Sequence, residues 1–312
     1  MRTPATGRMP GEEGACPACG GAQFEGRFPA PGPAAGIRRC RGCGLTAAVG
    51  AFDHDLSALD RLNFRQWYGG RPLSWSAEDY EKYRPSCTQQ IALLERYARP
   101  GNLLDLGCGT GYLLKVAQER GWRGTGTELI ADCVRFVVDI LKADCVHTSI
   151  ETAAFAPGAF DAIALRQVLE HTRDPRAVLG QCRTWLAPGG LLLLLLPNED
   201  AIDLALLNTV SSLCGGGKKY TTVSPPIHFW GFTPRSLRLM LAHAGFSVLL
   251  ARGFWEGDPM LHPNLGLARP IRSRKDLQWN VQLMLKLSLL RPAGELTGRC
   301  SQLMVLARRS IP

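Results

Sequence analysis

The stretch Leu103-Leu-Asp-Leu-Gly-Cys-Gly-Thr-Gly-Tyr-Leu-Leu114 decides how the chain is read. Its apolar opening predicts a buried strand over 103–107, and the pattern after the glycines predicts a helix over 111–120. Between them Gly107, Gly109 and Gly111 alternate with single residues, so the backbone turns sharply and a ligand can approach without meeting a Cβ. Free N–H groups at the helix start favour an anionic group such as a carboxylate or phosphate.

A dinucleotide site would read Gly-x-Gly-x-x-Gly; here the third glycine comes one residue early, and Asp105 would repel a pyrophosphate. A ligand with both a cation and a carboxylate fits better, because Asp105 can lie near the cation. The next strand, Arg123-Gly-Thr-Gly-Thr-Glu128, ends in an acid suited to chelating two ribose hydroxyls. A cationic nucleoside carrying an amino acid, S-adenosylmethionine, meets these demands. Another nucleotide and a purely structural tight turn are the alternatives.

The rest of the chain extends the same rhythm. Strands at 123–128, 144–147, 160–165 and 190–196 alternate with helices at 131–141 and 175–186, which predicts a parallel sheet with right-handed crossovers. A helix at 234–244, a strand at 246–251 and a last strand at 301–308 complete it. Two helices, 77–84 and 86–97, precede the first strand. The six leucines at 191–196 are too few for a membrane span and suit a central strand buried on both faces.

Eleven cysteines in a chain with no signal-peptide core argue for thiols rather than disulfides, and the expected location is cytoplasmic. Four of them are ordered: Cys16-Pro-Ala-Cys19 and Cys40-Arg-Gly-Cys43, each followed by a glycine. That spacing predicts a structural zinc ribbon over 16–48, with Cys16, Cys19, Cys40 and Cys43 closing a tetrahedral site. A redox pair is the other reading of each knuckle, but two pairs occur and neither begins a helical pattern. Residues 1–15 read as disordered and 49–79 as a linker whose aromatics, Phe52, Phe64, Trp67, Tyr68 and Trp75, serve core packing or roof the site.

The main domain then spans 80–312, with an insertion at 255–298. Within the insertion a basic cluster, Arg269 to Lys275, precedes an apolar helix over 276–290. Such a segment packs on its own protein or a second subunit, or makes peripheral membrane contact across 269–290. Net charge is +9, but the arginines are scattered among acids, so nucleic acid is the lesser expectation for a partner.

Taken in order, these motifs resemble the class I S-adenosylmethionine-dependent methyltransferases over residues 80 to 310. Asp105 to Gly111 resembles the family's first motif and Gly126-Thr-Glu128 its second. Phe160 to Pro175, containing Val-Leu-Glu-His, resembles the strand-four block of the ubiquinone/menaquinone-biosynthesis-like branch. Leu186-Ala-Pro-Gly-Gly190 resembles the turn into strand five, and Pro225 to Leu237 a block of small-molecule methyltransferases. The resemblance implies an α/β, Rossmann-like seven-stranded sheet, mostly parallel with its last strand antiparallel, helices on both faces, and the small zinc ribbon at its N-terminus.

It also implies roles. Gly107, Gly109 and Gly111 would line the methionine portion of the cofactor, with Asp105 near its ammonium. Glu128 would take the ribose, and Leu129, Ser149 and Ile150 the adenine. Arg166 and Gln167 would face the sulfonium side, and Tyr80 and Tyr83 would cover the cofactor. His171 and His228 are the candidates for handling the acceptor's proton, each with a structural alternative. Ion-dependent members of the branch carry a further acid where this chain has Gln167, so no catalytic magnesium is expected.

The implied reaction is O- or C-methylation of a small biosynthetic molecule: a sugar, polyketide, quinone or lipid-linked acceptor. RNA base methylation, with the ribbon as recognition module, is the runner-up. A non-catalytic cofactor-binding partner is the remote third. The enzyme would act as a monomer or homodimer.

Overall fold

The computed structural model describes residues 14–29, 36–50, 77–213, 219–225, 227–255 and 290–311. The expectations for residues 1–13, for the linker aromatics and for the helix at 276–290 therefore lie outside the described residues. No helix among the described residues is long and apolar enough to cross a membrane.

The N-terminal unit is a small antiparallel sheet: β1 (Phe24–Pro29), β2 (Gly36–Cys40) and β3 (Thr46–Val49). After α1 (Ala77–Glu95), the main sheet is built from β4 (Asn102–Leu106), β5 (Arg123–Glu128), β6 (Asp144–His147), β7 (Phe160–Arg166) and β8 (Leu186–Pro197). Helices α2 (Tyr112–Glu119), α3 (Ala131–Asp139) and α4 (Pro175–Trp185) make the crossovers. Then come α5 (Ile202–Leu213), β9 (Trp230–Gly231), α6 (Pro234–His243), β10 (Phe246–Phe254), α7 (Arg291–Thr297) and β11 (Gln302–Arg309).

The seven strands run in the order β10-β11-β8-β7-β4-β5-β6. The five from β8 to β6 are parallel to one another, while β11 lies between β8 and β10 and is antiparallel to both. This is the Rossmann-like methyltransferase architecture the motifs imply. Strand alternation explains the leucine run: Leu191, Leu193 and Leu195 pack with Ala162, Ala164, Leu103 and α1, while Leu192, Leu194 and Leu196 pack with Ile163, Leu165 and α4. Both faces are covered, so no position is free to be polar.

Three local expectations change. The two helices before the first strand are one, α1, with Pro85 inside it. Tyr80, Cys87, Ile91 and Leu94 share one buried face across the proline, and that burial outweighs the lost hydrogen bond. The Leu186-Ala-Pro-Gly-Gly190 turn is part of β8: Leu186 pairs with Phe160, the register shifts, and Leu191 pairs with Ala162, with Gly189 at φ +75°. Helix α5, which periodicity did not signal, carries exposed Leu206, Leu207, Val210 and Leu213.

The ribbon has no core of its own. Strand β9 adds to its sheet, giving the order β1-β2-β3-β9, and Cys16, Ala18, Ile37, Leu45 and Ala47 join one apolar cluster with Phe229, Trp230, Phe232 and Met240. Thr233 ties the two units further. Its hydroxyl caps α6 by accepting from the Ser236 N–H and donates to the Cys43 carbonyl at 2.9 Å.

Candidate functional site

The glycine loop folds as its composition predicts. Gly107, Gly109 and Gly111 have φ of +68°, +56° and +72°, a region that costs any other residue strain. Space imposes the same choice: a Cβ on Gly107 would lie 2.7 Å from Val168, and one on Gly111 2.7 Å from Val137. Gly111 then caps α2, whose first residue, Tyr112, stacks on Tyr83 with ring centroids 5.2 Å apart. Tyr80 also packs against Tyr112, but its hydroxyl is committed to Glu119 at the far end of α2, 2.7 Å away.

Glu128 stands at the end of β5 facing the loop. Its carboxylate accepts from the Gly109 N–H at 2.8 Å and from the Leu129 and Ile130 N–H groups at 2.7 and 3.0 Å. Burial pushes its pKa up, and the three backbone donors oppose that. The side chain is thus held in one orientation, with one loop donor on it. Leu129 is fixed through its carbonyl by the His147 ring at 2.8 Å. Beyond β6, the Ser149 hydroxyl lies 2.8 Å from that of Thr152, and Ile150 packs against the core.

Asp105, expected near the ammonium of the cofactor, has a protein partner. It is buried and paired at 3.1 Å with Arg166 from the end of β7. Burial raises the Asp105 pKa and the guanidinium opposes the rise; burial likewise works against the charge on Arg166, and Asp105 together with Cys87 and Cys108 offsets it. The other carboxylate oxygen, Oδ1, is buried with no partner. Gln167, at φ +58°, turns its amide to Gln302, 2.9 Å away.

The acceptor-side candidates meet in space. His171 lies in a 3₁₀ turn (Leu169–His171) after β7, and His228 lies 57 residues on, in the block leading to β9; their rings are 4.7 Å apart and edge-on. Each Nδ1 contacts a backbone carbonyl: Ile227 for His171 at 2.9 Å, and Thr222 for His228 at 3.0 Å. Burial lowers both pKa values, His171 to about 4 with further repulsion from His228, so both are neutral near pH 7. Neutral rings bonded this way carry the proton on Nδ1 and offer Nε2 as the acceptor.

Sequence reasoning missed the third member. Glu170 is fully buried, neither of its oxygens has a hydrogen-bond partner, Oε1 lies 3.9 Å from His171 Nε2, and its pKa is pushed up to about 8 by burial. Glu170, His171 and His228 each offer a ligand atom, and these atoms lie within 4.8 Å of one another. One carboxylate and two imidazoles suit a borderline cation such as zinc, not magnesium with its oxygen octahedron. The signal was present in Glu-His, but only the fold brings His228 to it.

The four knuckle cysteines also converge, their sulfurs within 4.8 Å of one another. Both knuckles make the same turn: Cys16 N–H to the Gly21 carbonyl and Gly20 N–H back to Cys16, then Cys40 N–H to Leu45 and Gly44 N–H back to Cys40. Gly20 and Gly44 sit at φ +74° and +78°, as the glycine after each knuckle implied. Four thiolates at these distances can hold one tetrahedral zinc with no open position.

A ubiquinone biosynthesis O-methyltransferase of Xanthomonas campestris pv. campestris is 35% identical over 118 residues, 36% of this chain and 49% of that protein. The chain thus spans about half the length of the curated relatives it matches. Among solved structures, Burkholderia thailandensis 1,6-didemethyltoxoflavin-N1-methyltransferase superposes with a TM-score of 0.52 at 15% identity, covering 93% of this chain and 100% of that one. The [4+2]-cyclase SpnF gives 0.52 at 18% identity, covering 82% and 95%. One architecture therefore carries different reactions, and the fold alone does not choose between them. Residues 80–251 match the family described as "Methyltransferase domain", more than half of the chain, and to that family the chain belongs.

Proposed function

We propose that the protein transfers a methyl group from S-adenosylmethionine to an oxygen or carbon of a small biosynthetic molecule. The observation that carries the reading is the glycine loop held at positive φ and facing the Glu128 carboxylate. The ribose diol would take the place of the Gly109 N–H on Glu128. Leu129, Ser149 and Ile150 would border the adenine, and Tyr83 with Tyr112 the mouth of the cleft. Asp105 acts through Arg166, which would carry the charge felt by the methionine end of the cofactor.

Methyl transfer forms one bond from the acceptor to carbon as the carbon–sulfur bond breaks, its electron pair returning to sulfur. The protein's part is to hold the acceptor about 3 Å from the methyl and in line with the sulfur. Where the acceptor must lose a proton, neutral His228 takes it at Nε2, and His171 and Glu170 set the field around it. The residues do not fit a catalytic magnesium, and no step is assigned to one. Cys16, Cys19, Cys40 and Cys43 would hold a structural zinc that fixes β3 beside β9, and so fixes His228 two residues upstream of β9.

The test supplies labelled S-adenosylmethionine with either the small-molecule fraction or the RNA of a cell extract. The expected result is label in a small molecule with release of S-adenosylhomocysteine. Label confined to RNA, or no release with any fraction, would overturn the assignment.

A further inference from the structure

Cys108 lies inside the glycine loop, and its sulfur lies against β5. On β5 the residue it crosses is Gly126, which pairs with Asp105 of β4 on one side and Cys145 of β6 on the other. A Cβ at Gly126 would lie 2.6 Å from the Cys108 sulfur. The missing side chain opens a lane through the sheet face, and in it the sulfurs of Cys108 and Cys145 come within 3.7 Å of each other. Cys108 is buried and Cys145 half-buried on the edge strand, so Cys145 is the more accessible thiol of the pair.

We propose that Cys108 and Cys145 form a modification site that takes up a disulfide bond from a small-molecule disulfide, such as glutathione disulfide, and that this bond disables the cofactor cradle. The proposal rests on the reading of the loop as that cradle. Cys145, as thiolate, attacks one sulfur of the oxidant; its S–S bond breaks and the first thiol leaves with a proton. Cys108 then attacks the Cys145 sulfur from the inner side and gives up its own proton, and the second thiol leaves outward. Two protein thiols are oxidised and one external disulfide is reduced.

Closing the bond brings the sulfurs from 3.7 Å to about 2.05 Å, a movement the loop has little room to absorb. Gly107 and Gly111 are packed on Val168 and Val137, the Cys108 N–H donates to the Thr127 carbonyl, and the Cys108 carbonyl accepts from Gly111. Motion of the partner strand instead would shift β6, which leads to Ser149 and Ile150. Either way the wall between Glu128 and the adenine-side residues changes shape.

The full-length, zinc-loaded protein is incubated with reduced or oxidised glutathione, digested without reduction and mapped by mass spectrometry. Calorimetry measures S-adenosylhomocysteine binding in parallel. The expected result is a peptide pair joined through Cys108 and Cys145 and an affinity weakened at least about tenfold, restored by dithiothreitol. Cys145→Ser should bind as the reduced wild type does and ignore the oxidant, and Cys145→Ala repeats the test should serine disturb the strand. Zinc release, followed separately, reports oxidation of the ribbon. Failure of the 108–145 link to form while other thiols oxidise would overturn the proposal, and so would a complete link with unchanged affinity. A reduced wild type that binds no S-adenosylhomocysteine would instead sink the cradle reading, while the peptide map still decides whether the site exists.

Discussion

The cofactor edge and the acceptor wall are built in opposite ways. At the cofactor edge, Asp105, the three loop glycines and Glu128 lie within 24 consecutive residues, and adjacent parallel strands bring them together. At the acceptor wall, Glu170, His171, His228 and the knuckle cysteines come from three distant segments, joined by β9, by the Thr233 cap and by one shared apolar cluster. A local motif can form with its strand–turn–helix unit. A wall of this kind exists only when the whole chain is folded, so it should fail as a whole.

Cys16→Ser or Cys43→Ser puts this contrast to its hardest test. Each should lose about one zinc per chain, and because structural zinc is worth on the order of 10 kcal/mol in small domains, the melting temperature should fall sharply. Cofactor binding measured below that temperature should decline less than acceptor turnover. Zinc loss with an unchanged melting curve would show that the ribbon does not support the wall.

Glu170→Gln probes the buried carboxyl. Its folded pKa of about 8 lies above the ordinary value of 4.5, so the unfolded chain releases that proton first. Wild-type stability should therefore fall as pH rises from 4.5 to 8, and the variant, lacking the proton, should not share that fall. His171 contributes the opposite slope, its stability lost as pH falls from 6.5 towards 4, and it does so in both proteins. The expected difference in unfolding free energy is near zero at low pH and grows to a value on the order of a few kcal/mol above pH 8. A pH-independent difference would mean that a cation already neutralises Glu170.

At the cofactor edge the effects should be smaller and confined to binding. Glu128→Ala removes a charged hydrogen-bonding partner worth about 2–3 kcal/mol, roughly a fiftyfold loss in S-adenosylhomocysteine affinity by calorimetry. Gly107→Ala should cost about 1–2 kcal/mol of stability in a denaturant titration, from positive φ and the clash with Val168. Loss of affinity in the ribbon variants equal to that of Glu128→Ala would erase the distinction between the two regions.

What sequence alone revealed follows the same division. Glycine spacing, the leucine run and the closing acid of β5 are local signals, and the antiparallel last strand is what the family resemblance implied. Pro85 misled because burial of a face outweighed a local rule. Arg166 and Asp105 were each singled out, but their pairing depends on neighbouring strand ends, which spacing does not encode. Glu170 went unassigned because a carboxyl next to a histidine is common, and its burial without a hydrogen-bond partner is a property of the packed wall.

The central claim is that the glycine loop and Glu128 together bind an S-adenosyl nucleoside. Titrating S-adenosylhomocysteine into the reduced, zinc-loaded wild type is the most direct test. Saturable binding at one site per chain, weakened by Glu128→Ala, is the predicted result, and absence of binding by a folded protein would contradict it.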